Sequence, residues 1–96
     1  MLTLEQLRAR REELIALADR HKAENLRVFG SVVRGEASEG SDIDLLVHFR
    51  EDASLFDLIH LIEDAEQLVQ TKVDIVSDVG LSPYLAPRIL GEAVSL

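Results

Sequence analysis

The sequence predicts an α/β domain with helices packed on a three-stranded sheet. Three short runs, "LRVF", "DIDLLVHF" and "KVDIVS", carry the apolar, β-branched or alternating character of strands. The stretches around them place apolar residues at helical spacing, and glycine, serine or proline punctuates the junctions. The resulting order is αβαβαβα within one domain, residues 1–96, with no linker, repeat or low-complexity tract.

Thr3 followed by Gln6 reads as a capping box. Leu4, Leu7, Leu14, Leu17, Ala18 and His21 then recur on one side of a first helix from about Leu4 to His21, whose outward face "RARREE" reads as a solvated stripe. "LRVF", Leu26 to Phe29, is a first strand running into Gly30, after which "SVVRGEA" is long enough for one or two helical turns. The "EGS" break leads into "DIDLLVHF", with Ile43, Leu45, Val47 and Phe49 on one face. Ser54 and Asp57 again suggest a cap, and Leu55, Leu58, Ile59, Ile62, Ala65 and Val69 line a third helix ending near Gln70. "KVDIVS", Lys72 to Ser77, is the third strand. In "LSPYLAPRILGEAVSL" a last short helix starts either at Pro83 behind a Ser82 cap or at Pro87.

Composition narrows the function. A chain of 96 residues buries enough surface to fold without disulfides, and it has no cysteine to form them or to bind a metal as thiolate. Although 47% of its residues are hydrophobic, no apolar run approaches the roughly 18 needed to cross a bilayer. The N-terminus lacks the apolar core of a secretion signal, so a cytoplasmic protein is expected. With ten Lys and Arg against a net charge of −8, long DNA or RNA is excluded as the expected partner. A basic protein partner fits better.

Asp42 and Asp44 stand one residue apart where the pattern otherwise reads as a buried strand. Alternation turns both away from Ile43 and Leu45, and Asp74 stands between Val73 and Ile75 in the third strand. If the strands are neighbours, three carboxylates line one edge of the sheet. At about 6 Å and an effective dielectric near 20, each ionised pair repels by roughly 3 kcal/mol, so the cluster needs cations. Carboxylates without cysteine suit magnesium or manganese. Two such ions would activate an attacking hydroxyl and neutralise a leaving oxygen, which is the chemistry of phosphoryl or nucleotidyl transfer. Upstream, Gly30 permits close approach to a phosphate and Ser31 opens a helix whose free amides favour anions. Arg34, about one turn on, either reaches a phosphate or holds the loop through an ion pair.

The combination of "GS", a spacer, "DxD" and a later carboxylate resembles the minimal nucleotidyltransferase (MNT) domains of the DNA polymerase β-like superfamily. The residues that match are Gly30 and Ser31, Asp42 and Asp44, and Asp74. The resemblance spans nearly the whole chain and implies a nucleotidyltransferase fold with a mixed sheet and strands in sequential order. It also implies transfer of a nucleoside monophosphate from a triphosphate such as ATP, with pyrophosphate leaving. On that reading Asp42 and Asp44 bind two Mg2+ or Mn2+ ions, and Asp74 binds the one that activates the nucleophile and accepts its proton. Gly30 and Ser31 hold the β and γ phosphates, with Arg34 and Ser41 as further nucleotide-binding candidates. The family's frequent "GSRARG" is here "GSVVRG", so Val32 and Val33 stand in place of its first arginine and alanine, and any contact that arginine makes is lost.

Stand-alone domains of this kind resemble the antitoxin half of toxin–antitoxin pairs whose other half is a HEPN ribonuclease. The resemblance implies adenylylation of a tyrosine hydroxyl on that partner. The toxin half's mark, an Arg with a His about five to seven residues later, does not occur here. Two alternatives stand beside the enzyme: a non-catalytic module that neutralises its partner by occlusion, and a subunit of an aminoglycoside-type transferase, for which a chain this short offers no acceptor pocket. His48 shares the parity of the aspartates but sits at the far end of the strand and reads as structural. His21 and His60 read as packing or solvent-facing, Lys72 as solvated with a phosphate contact as the alternative, and Tyr84 with "LAPRIL" as core with a partner surface as the alternative.

Overall fold

The computed structural model describes residues 2–96. The elements are α1 (Leu4–Ala9), α2 (Arg11–Arg20), β1 (Ala23–Phe29), α3 (Ser31–Arg34), β2 (Ile43–Phe49), α4 (Leu55–Val69), β3 (Val73–Ser77), α5 (Ala86–Glu92) and β4 (Val94–Ser95). Thr3 caps α1 reciprocally with Gln6, as the capping-box spacing predicts. At the start of α4 the Asp57 carboxylate accepts the Ser54 N–H at 2.8 Å.

The sheet is mixed and runs β3-β2-β1-β4. β1 pairs antiparallel with β2 and with β4, whereas β2 pairs parallel with β3. The strands expected from the sequence are therefore present in sequential order, but the sheet has four strands rather than three. β4 escapes a periodicity argument because two residues show no alternation. β1 also begins at Ala23, three residues before "LRVF", and its register shifts between Glu24 and Arg27, where Asn25 takes a φ of 54°. A bulge of this kind lets the polar "EN" pass through a strand without entering the core.

The first helix is divided at Arg10 instead of running unbroken to His21. The apolar stripe that continues from Leu7 would next need positions 10 or 11, and both are arginine, so little packing holds the helix straight there. The "RARREE" stripe is not merely solvated. Arg8 donates to the Ser95 carbonyl at 3.1 Å, Arg10 to the Leu68 carbonyl at 3.2 Å and Arg11 to the Leu96 carbonyl at 3.4 Å. These bonds tie the N-terminal helices to the end of α4 and to β4.

One face of the sheet carries the core. Val28, Ile43, Leu45, Val47, Val73 and Ile75 meet Leu7, Leu14, Ala18, Leu61 and Ala65 from the helices. Burying each of the larger aliphatic side chains contributes about 1.5–3 kcal/mol. Strand alternation sends Arg27, Phe29, Asp44, Leu46, His48, Asp74 and Val76 to the opposite face. Leu46 is fully buried there, so this second face is covered at its centre. Starting the last helix at Ala86, with Pro87 in the first turn, agrees with the second of the two starts considered. Tyr84 then falls in the preceding turn, where its N–H meets Ser82 Oγ at 3.3 Å, and it is 93% exposed rather than part of the core. Among the described residues no helix is long and apolar enough to cross a membrane.

Candidate active site

The site is built where β1 ends. Gly30 follows Phe29 with φ 83° and ψ −157°, backbone space essentially reserved for glycine, and the chain turns directly into α3. Across the sheet Phe29 pairs with Asp44, and on the other side of β2 Asp44 pairs with Asp74. The Gly30 turn, Asp44 and Asp74 thus lie side by side across three chain segments. A Cβ on Gly30 would overlap Asp44 Oδ2 and stand 3.0 Å from its Cγ, so the carboxylate rests on the bare Cα. Asp42 precedes β2 and is exposed.

Burial raises the Asp44 pKa above the ordinary carboxylate value, and the charges of Asp74 and Asp42 push it the same way. Arg34 opposes them. The three aspartates identified from spacing thus share one electrostatic neighbourhood. They are not gathered into a closed cage: among the described residues no three His, Cys, Asp or Glu side chains are close enough to hold a metal ion. Their carboxylate oxygens, Asp44 and Asp74 on adjoining strands with Asp42 just ahead of β2, are of the type a hard divalent cation takes.

Ser31 opens α3, whose N-terminus has no side-chain cap, and Gly35 ends it in the left-handed region at φ 72°. Arg34 makes ion pairs with Glu92 and, at 3.4 Å, with Glu36. Burial works to lower its pKa, but the two carboxylates outweigh this and hold the guanidinium above its usual value. Glu92, from α5, also accepts the Gly30 N–H at 3.1 Å. Spacing arguments did not single out Glu92, and nothing local in "GEAV" marks it. Ser41 is engaged within its own loop, its Oγ accepting the Ser38 N–H at 3.0 Å. That loop borders a cleft of about 500 Å³ lined by Val32, Ser38, Ser41, Asp42, Thr71 and Lys72. Lys72 itself is exposed, while its carbonyl accepts the Ile43 N–H at 2.9 Å and so locks the start of β2 to β3.

His48 Nδ1 lies 2.9 Å from Asp78, which also stands 3.9 Å from Arg27, so His48 belongs to a polar group further along the same face. His21 is paired with Asp64 at 2.7 Å, and its ring centroid is 6.1 Å from that of His60.

Residues 11–95 match the family described as nucleotidyltransferase domain. The chain belongs to that family. Over 98 residues, 98% of this chain and 96% of its relative, this nucleotidyltransferase is 43% identical to the protein adenylyltransferase MntA of Thermococcus cleftensis. A solved structure provisionally described as a minimal nucleotidyltransferase superposes with a TM-score of 0.87 at 52% identity, covering 99% of this chain and 97% of that one. A chain from the complex of tri-AMPylated Shewanella oneidensis HEPN toxin with MNT antitoxin superposes with a TM-score of 0.69 at 18% identity, over 92% of this chain and 69% of that one. That last likeness is one of fold.

Proposed function

We propose that the chain is a single-domain, cytoplasmic, metal-dependent adenylyltransferase that moves AMP from ATP to a tyrosine hydroxyl of a cognate HEPN ribonuclease and so serves as its antitoxin. The observation that carries this reading is the register of Asp44 with Asp74 beside the Gly30 turn. The name of the Thermococcus relative supports the reaction class, and the AMPylated toxin of the Shewanella complex supports the partner.

Asp42, Asp44 and Asp74 would hold two magnesium ions, which when bound supply charge neutralisation for the triphosphate and lower the pKa of the attacking hydroxyl. The Gly30–Ser31 turn receives the β and γ phosphates through the close backbone approach that glycine allows and the Ser31 hydroxyl, the Gly30 N–H itself being held by Glu92. Arg34 stands one helical turn behind and contributes positive charge to the same region. Asp74, exposed at the open side of the sheet, accepts the tyrosyl proton. The tyrosyl oxygen then bonds to the α phosphorus, the bond from that phosphorus to the β-bridging oxygen breaks, and pyrophosphate leaves. The net charge of −8 suits docking to a basic ribonuclease.

The spread of the three carboxylates favours one other reading, neutralisation by occlusion without catalysis. One experiment separates the two. The protein is mixed with its HEPN partner, ATP and magnesium, and the partner is weighed by intact mass spectrometry, with Asp44→Asn as control. Adenylate increments that vanish with the control support the enzyme; equal neutralisation by both proteins, with no added mass, supports occlusion.

A further inference from the structure

Glu92 lies 62 residues from Gly30 and 58 from Arg34 in sequence, yet one of its carboxylate oxygens, Oε1, accepts from both. Its side chain is only 14% exposed. Its backbone is equally constrained, because Val94, two residues on, pairs with Val28 of the strand that ends at Gly30. Glu92 is therefore fixed by the same strand whose terminal turn it binds, and Arg88 supports its other oxygen from 4.0 Å.

An anionic side chain in this place carries a charge penalty, since it adds to the field of Asp44 instead of relieving it. What offsets that penalty is the pair of bonds it makes. The Gly30 N–H is committed to the Glu92 carboxylate, and the Arg34 guanidinium is held at the turn by the same oxygen. Charge-assisted hydrogen bonds of this type are the strong class, and the guanidinium is held from two sides, Nη1 by Glu92 and Nε by Glu36.

Building on the adenylyltransferase reading above, we propose that Glu92 is a positioning residue of the nucleotide site, whose carboxylate sets the Gly30 turn and the Arg34 guanidinium in the arrangement that receives the triphosphate. The C-terminal α5–β4 unit is then a structural part of the active site.

The test compares wild type, Glu92→Ala, Glu92→Gln, Arg34→Ala and the Glu92→Ala/Arg34→Ala double variant. Two quantities are read: exchange of the Gly30 amide by NMR without nucleotide, and affinity for ATP by calorimetry. Glu92→Ala is expected to speed Gly30 exchange and to weaken ATP binding about ten-fold or more. Glu92→Gln, which keeps an acceptor for Gly30, recovers part of both. The double variant binds ATP no more weakly than the worse single variant, as expected of groups acting as a unit. Unchanged exchange in Glu92→Ala, or altered exchange with unaltered or tighter ATP binding, overturns the inference while leaving the adenylyltransferase reading intact. Failure of the wild type to bind ATP overturns both.

Discussion

Asp44 rests its carboxylate on the Cα of Gly30, at a place where any side chain on residue 30 would collide with it. The glycine therefore meets two requirements at once. Its φ of 83° and ψ of −157° suit no other residue, and its missing Cβ is the space into which the catalytic candidate fits. Gly30→Ala should cost about 1–3 kcal/mol from the backbone alone and should also displace Asp44. Chemical denaturation is expected to record the first effect, and loss of adenylate transfer under conditions where the variant remains folded the second.

Asp44 is a carboxylate whose folded-state pKa lies above its unfolded value, because burial and the charges of Asp74 and Asp42 disfavour the ionised form. Protonation therefore favours the folded state. Stability from this group is present at acid pH and is lost as pH rises from the ordinary carboxylate value, near 4, through the raised folded value. In chelator, Asp44→Asn should remove this loss and unfold at a higher temperature than wild type at pH 7. Adding magnesium or manganese should raise the wild-type midpoint and leave the variant unmoved, since a ligand at 100 times its Kd stabilises by about 2.7 kcal/mol only where it binds.

Asp57 behaves in the opposite sense. The Ser54 N–H bond holds its pKa below the usual range. Its contribution to α4 is present above the unfolded carboxylate value and disappears as pH falls through the lowered one. Thermal midpoints followed from pH 7 toward pH 2 should converge for wild type and Asp57→Asn, with wild type the more stable at the neutral end.

Leu46 and Tyr84 form a contrast between covered and uncovered apolar groups. Leu46 is fully buried and Tyr84 is 93% exposed. Leu46→Ala should cost about 2–5 kcal/mol, whereas Tyr84→Ala should change stability by no more than about 0.5 kcal/mol. Denaturant midpoints at constant m-value would check both.

Much of the site is legible in the sequence because strand alternation is strictly two-fold. Asp44 and Asp74 fall on one side of the sheet once β3 lies parallel to β2, whereas Asp42 stands just ahead of β2, outside its alternation. Gly30 is legible because a glycine closing a strand ahead of a short helix implies an unusual turn. Other features are set by long-range contacts that leave no local mark. The bonds of Arg8, Arg10 and Arg11 to distant carbonyls resemble a solvated stripe until the end of α4 and β4 are in place. Glu92 reads as an ordinary surface residue of a short helix, and its role emerges only when Val94 pairs with Val28. Tyr84 escapes because an aromatic near prolines reads equally as core or surface, and only the start of α5 at Ala86 decides it.

The pairing of β4 with β1 sets an order in time. During synthesis the Gly30 turn leaves the ribosome long before Glu92 does, and closing that interval waits for the latest residues of the described chain. A nascent polypeptide can already hold β1, Asp42 and β2 with Asp44 while its turn is still unbraced. Competence thus waits for the α5–β4 segment, and a product truncated before it would retain the acidic strand but not the clasp that orders the turn.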